Sequence, residues 1–66
     1  MTGVIKTFSP GKGYGFIDGT DGNEYWFHAS EWMGRDKPQP NDRVEFAGME
    51  IPGKGKRAYI VAKERK

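Results

Sequence analysis

Ten glycines are scattered along these 66 residues, and they restrict the fold more than any other feature. A glycine inside a helix costs about 1 kcal/mol relative to alanine. No window places apolar residues at helical spacing for more than about one turn. In the segment 30–33, Ser30 can cap a turn and Gly34 can end it. The sequence therefore predicts one 3₁₀ or helical turn there and β structure elsewhere.

Five short segments combine β-branched or aromatic residues and are separated by turn-forming residues. They are residues 2–8, 12–18, 23–28, 42–50 and 57–63. Residues 19–22 read Gly-Thr-Asp-Gly, which is the composition of a tight turn, so the second and third strands form a hairpin. Closure into a barrel removes the exposed edges that a sandwich of this size would leave. The sequence thus predicts a small all-β barrel.

Length and composition exclude several classes of protein. The chain has room for one domain, residues 1–66. It has no cysteine and a single histidine, so we expect no disulfide, no metal site and no cofactor. There is neither an apolar run of the roughly 20 residues that span a membrane nor a secretory signal. We therefore expect a cytoplasmic protein.

Alternation along the hairpin creates two faces that both carry aromatic rings. One face holds the residues that we call the aromatic strip: Tyr14, Phe16, Trp26 and His28, with Lys12 at the edge. The other face holds Gly13, Gly15, Ile17, Tyr25 and Phe27. Periodicity alone does not decide which face is inside. Exposure of the aromatic strip is favoured because Lys12 and His28 flank it, and because glycines on an inner face permit tight coiling.

Flat rings beside lysines suit a single-stranded nucleic acid. Every base offers a π face to a ring, and each stack contributes about 1–3 kcal/mol. The net charge supports a nucleic-acid partner only weakly, because it is −2 over residues 1–33 and +4 over residues 34–66. This asymmetry indicates either a polyanionic partner or a solvated surface with a basic tail at 63–66.

Two other classes of function fit less well. His28 and Ser30 share one face of a strand end, but no third group completes a nucleophilic site, so we expect no enzyme. The Gly- and Lys-rich segments 11–13 and 53–56 lack the spacing of a phosphate-binding loop. An SH3-like barrel that binds proline-rich peptides is the alternative, although such grooves usually carry acidic residues where this strip is flanked by lysines.

Two motifs resemble those of bacterial cold-shock proteins. Residues 12–17, Lys-Gly-Tyr-Gly-Phe-Ile, are similar to the family's first ribonucleoprotein motif, and residues 25–30 partly match the second. The resemblance implies a five-stranded antiparallel OB-fold barrel that binds single-stranded RNA and DNA. It also implies an RNA chaperone or a regulator of transcription or translation. We expect no membrane contact, no small-molecule substrate, and a monomer, with a domain-swapped dimer as the alternative.

The resemblance assigns base stacking to the aromatic strip and adds basic neighbours, including a last loop expected beside that strip. The nucleic-acid-binding residues predicted in this way are Lys6, Phe8, Lys12, Tyr14, Phe16, Trp26, His28, Lys54, Lys56 and Arg57. The inward positions that it implies are Ile5, Ile17, Tyr25, Phe27, Val44 and Val61. Trp32 is expected to plug a barrel end, with a displaced stacking ring as the alternative.

The chain departs from the family at several stacking positions. Thr7 stands where tryptophan is usual, and Ala29 where phenylalanine is usual. The loop between the third and fourth strands lacks an aromatic residue and offers Arg35 and Lys37 instead. The last loop, residues 53–57, is more basic. We therefore expect binding to depend more on phosphates and less on stacking than in a typical member.

Overall fold

A computed structural model gives the structure of the chain and describes residues 1–64. The elements in chain order are β1 (Thr2–Ser9), β2 (Tyr14–Gly19), β3 (Glu24–His28), a 3₁₀ turn (Ala29–Glu31), β4 (Arg43–Ile51) and β5 (Gly55–Lys63). All five predicted strands are confirmed, with ends within two residues of the prediction. The last two residues of the expected basic tail lie outside the described part of the chain.

The five strands close into a barrel in the order β1-β2-β3-β5-β4. This confirms the predicted five-stranded barrel. Strands β3 and β5 run parallel and meet at the register pair Trp26 and Arg57, whereas the other neighbouring strands are antiparallel. A ring with an odd number of strands cannot alternate in direction all the way round, so one parallel pair is unavoidable.

The barrel interior contains the residues that the resemblance placed inward. Ile5, Ile17, Tyr25, Phe27, Val44 and Val61 are each at most 4% exposed, and Phe46 and Ala58 complete the core. Gly15 faces the same interior. A Cβ atom there would lie 3.0 Å from the Phe27 ring and closer still to the Thr7 carbonyl oxygen. Glycine at this position therefore lets β1, β2 and the Phe27 ring approach closely.

The 3₁₀ turn occurs close to where it was expected, but its N-cap lies two residues earlier. Its N-cap is His28 rather than Ser30, because the imidazole Nδ1 accepts a hydrogen bond from the Ser30 N–H at 3.0 Å. At its other end, the Glu31 carboxylate accepts the N–H of Ile60 at 3.1 Å. These two bonds attach the turn to the end of β3 and to β5.

Lys12 lies in the turn before β2 and not in the strand itself, contrary to the sequence prediction. The Ser9 carbonyl accepts the N–H groups of both Lys12 and Gly13, at 3.1 and 2.8 Å. Gly13 has a φ of +78°, a left-handed conformation that glycine adopts readily. Strand β2 begins at Tyr14, directly after this turn.

Candidate nucleic-acid interface

The aromatic strip lies on the outer surface of the β2–β3 hairpin. The register places Tyr14 opposite His28 and Phe16 opposite Trp26. The three larger rings are half-buried, whereas His28 is exposed. Phe27, the residue after Trp26, is fully buried. The structure therefore decides between the two faces that periodicity left open.

The rings of the strip form one continuous surface. Tyr14 lies 5.9 Å from Trp26 at a tilt of 32° and 6.2 Å from Phe16 in an edge-on arrangement. His28 follows at 6.2 Å from Trp26. The turn that carries Lys12 adjoins His28, because a Cβ at the neighbouring Gly13 would lie 3.7 Å from its Nε2. Planar ligands can thus contact several rings side by side.

The loop between β4 and β5 faces the strip across an open cleft of about 460 Å³. The cleft is lined by Phe16, Glu24, Trp26, Lys54, Gly55, Lys56 and Arg57. The cleft thus combines two rings of the strip with three cations, which we call the cationic wall: Lys54, Lys56 and Arg57. The structure brings together the predicted basic loop and two of the predicted stacking rings, although these lie about 30 to 40 residues apart in the chain.

Arg57 lies over the ring of Trp26. Its Cζ atom lies 4.3 Å from the centroid of the indole, which is cation–π geometry. The two residues are also the register pair that joins β3 to β5, so the backbone places the guanidinium beside the ring.

Two of the predicted basic residues already have acidic partners. The Lys6 ammonium lies 2.9 Å from the Glu24 carboxylate, and Lys56 lies 3.3 Å from Glu50. The hydrogen bond to Glu24 and the charges of Glu24 and Asp18 raise the pKa of Lys6. Exposed pairs of this kind contribute little to stability, so a phosphate can replace the carboxylate at small cost. Sequence reasoning missed Glu24, although alternation along β3 places it on the same face as Trp26.

Phe8 is not part of the aromatic strip, although it was predicted among the binding residues. It is half-buried and stacks on Phe27 with the centroids 5.8 Å apart and the planes at 16°. A register shift between Ile5 and Thr7 sets Phe8 opposite Gly15, on the inner face of the barrel. The alternation that the sequence suggests is broken by this irregularity.

Phe8 instead lines a second cleft of about 270 Å³, together with Trp32, Arg35 and Lys37. Trp32 packs partly against the core, and its indole N–H donates to the Asp36 carbonyl. This packing agrees with the expectation that Trp32 plugs a barrel end, while the remainder of the ring is a wall of the second cleft.

Across residues 1–64, no three His, Cys, Asp or Glu side chains are grouped so that they could hold a metal ion. Within the same range, no helix has the length and apolarity needed to cross a membrane.

Comparison with known proteins identifies similar sequences and similar solved structures. The family model described as 'Cold-shock' DNA-binding domain matches residues 1–64. The cold shock-like protein CspI of Escherichia coli is 42% identical over 66 residues, covering 94% of this chain and 93% of CspI. A cold shock domain-containing protein of Drosophila melanogaster is 42% identical over 55 residues, covering 82% of this chain. The chain spans only 38% of that Drosophila protein.

A solved structure of Drosophila Unr CSD456 superposes with a TM-score of 0.74 over 97% of this chain and 26% of that one. Sequence identity in this comparison is 20%, so the likeness concerns the fold. It agrees with the OB-fold barrel that the sequence predicted.

Proposed function

Because the chain belongs to the cold-shock domain family, which is a nucleic-acid-binding family, we propose that it binds single-stranded RNA and DNA. Bases stack on the aromatic strip, and the loop between β4 and β5 holds phosphates. The observation that carries the proposal is the cleft of about 460 Å³, because two aromatic rings and three cations line it together: Phe16, Trp26, Lys54, Lys56 and Arg57.

Single strands fit this surface better than duplexes. In a duplex the π faces are covered by neighbouring base pairs, whereas unpaired bases can be splayed onto aromatic side chains. Each such stack is worth about 1–3 kcal/mol and tolerates any base. Stacking does not involve the sugar, which supports binding of both RNA and DNA.

Phosphate contacts have a larger share of binding here than in a typical family member. Thr7 pairs in register with Phe16, so it extends the row of the strip, but it offers no ring. Ala29 likewise offers no ring and lines the second cleft. The cationic wall compensates for these two missing platforms.

The cellular role that we propose is that of an RNA chaperone or a regulator of transcription or translation. We propose that the protein acts as a monomer in the cytoplasm, without a cofactor. The family is not an enzyme family, and we propose no catalytic activity for this member.

The proposal is tested by titrating the protein with oligo(dT), with an RNA of equal length and with a proline-rich peptide, while tryptophan fluorescence is followed. We expect quenching by both nucleic acids, because a base that stacks on Trp26 quenches its emission, and no response to the peptide. Binding of the peptide alone would instead support a peptide-binding barrel.

Alanine at Tyr14, Phe16 or Trp26 should weaken binding by about 1–3 kcal/mol, which is about 5- to 150-fold in Kd. The melting temperature should fall by only a few degrees, because these rings are not in the core. Met33→Ala is a control, since Met33 is 63% exposed and lines neither cleft. Normal oligonucleotide affinity in all three ring variants would contradict the proposal.

A further inference from the structure

One face of Trp26 is occupied by a group of the protein itself. The Arg57 guanidinium lies over the indole at 4.3 Å from its centroid. Since Trp26 and Arg57 are paired in register between β3 and β5, their Cα positions are fixed relative to each other by the barrel. The contact is thus a built feature of the fold.

A stacked base would need the same space. Atoms in van der Waals contact are about 3.5–4.0 Å apart, so a base on this face of the indole would overlap the position of the guanidinium. Trp26 and Arg57 both line the cleft of about 460 Å³, so a base that enters it comes close to both side chains. The base and the guanidinium therefore exclude each other at this position.

A bare phosphate backbone does not face this competition. When the face of a guanidinium rests on a ring, its N–H donors lie around its edge and can still bind a phosphate. Backbone contacts can therefore form while Arg57 stays on Trp26, whereas a base must first displace it.

We propose that Arg57 competes with incoming bases for Trp26 and thereby sets how strongly the protein prefers a base-bearing strand over a bare phosphate backbone. This inference rests on the proposed function and concerns the specificity of the same site. On base binding, the guanidinium leaves the indole and donates to a phosphate instead.

The test compares two ligands of equal length at one salt concentration: oligo(dT) and an abasic oligodeoxynucleotide. The measured quantity is the base preference, defined as the Kd for the abasic strand divided by the Kd for oligo(dT). In Arg57→Gln the competing cation–π contact is lost. We expect both ligands to bind more weakly, while the base preference rises about two- to fivefold, as the strength of an exposed cation–π contact implies.

Lys54→Gln is the matched control, because it removes the same charge from the same cleft without uncovering the indole. Its base preference should equal that of the wild type. An unchanged base preference in Arg57→Gln would overturn the inference. A decrease would also overturn it, since it would mean that bases stack on the guanidinium. An equal rise in Lys54→Gln would overturn it as well, because net charge would then be the cause.

A second measurement uses the wild-type protein and does not depend on how a variant folds. In the free protein, the ring current of Trp26 should shift the Arg57 side-chain NMR signals upfield. Oligo(dT) should abolish that shift and the abasic strand should preserve it. If the shift persists with saturating oligo(dT), the displacement of Arg57 is refuted and the proposed function is not. If the wild type binds neither strand, the proposed function itself is refuted.

Discussion

Replacing Lys54, Lys56 and Arg57 together by glutamine removes the cationic wall of the cleft. On a single strand, each phosphate that the protein neutralises contributes about −0.7 to the slope of log K against log salt. With Lys12 as the fourth cation, the wild-type slope is about −2.8. Only Lys12 remains in the triple variant, so its slope should fall to about −0.7.

The ion pair between Lys56 and Glu50, at 3.3 Å, modifies this expectation. When Lys56 turns to a phosphate, Glu50 regains a counter-ion from solution, and the net ion release from that exchange is small. The wild-type slope should therefore lie between about −2.1 and −2.8. Raising salt from 50 to 200 mM should then weaken wild-type binding about 20- to 50-fold, and binding of the triple variant only two- to threefold.

The assay is fluorescence anisotropy of labelled oligo(dT) across a salt series. Arg43→Gln together with Lys63→Gln is the control, because these cations lie at the opposite end of β4 and β5 and pair with Glu64 and Asp42. Their removal should leave the slope unchanged.

Glu50→Gln should steepen the wild-type slope toward −2.8, because it frees Lys56. A wild-type slope in the triple variant would refute the reasoning and would show that the loop does not contact the backbone.

Three further predictions concern stability. Phe27→Ala should lower the free energy of unfolding by about 3–5 kcal/mol and the melting temperature, followed by circular dichroism, by more than about 12 °C. A native-like melting temperature would contradict the inward position of this ring. Hydrogen bonds from the Tyr25 hydroxyl and from Asn23 lower the pKa of Asp21 to about 2. The ionised carboxylate therefore stabilises the fold fully above pH 3.8, the ordinary pKa of Asp, and this stabilisation is lost as the pH falls toward 2. Tyr25→Phe should therefore flatten the decline in melting temperature between pH 4 and 2, and an unaltered decline would show that this bond does not couple to folding. Gly15→Ala should be destabilising in urea unfolding, because its methyl group would meet the Phe27 ring; wild-type stability would argue against the tight packing there.

The sequence was sufficient to predict the strands and the contents of their faces. Alternation is a local property with a period of two residues, so the sequence alone groups Tyr14 with Phe16 and Tyr25 with Phe27. The turn at residues 19–22 then sets the hairpin register, and this register agrees with the structure. The sequence could therefore group the rings of each face, while the assignment of base stacking to one of these groups followed from the resemblance to cold-shock proteins.

Local irregularities were beyond sequence reasoning. The register shift between Ile5 and Thr7 moves Phe8 to the inner face, and no residue type in this segment predicts that shift. The imidazole of His28 caps the 3₁₀ turn because of where β3 ends, while sequence preference favoured Ser30. Each outcome depends on how neighbouring strands pack and not on the propensity of one residue.

Only closure of the barrel decided which aromatic face is exposed and which cations adjoin it. Both faces of β3 carry rings, so hydrophobicity along the strand favours neither. The choice follows from which set fills the limited interior beside Gly15. The contact of Arg57 with Trp26 likewise exists because five strands close with one parallel pair, which brings residues 31 positions apart into register. Such contacts depend on the free energy of the whole barrel, so local sequence patterns do not predict them.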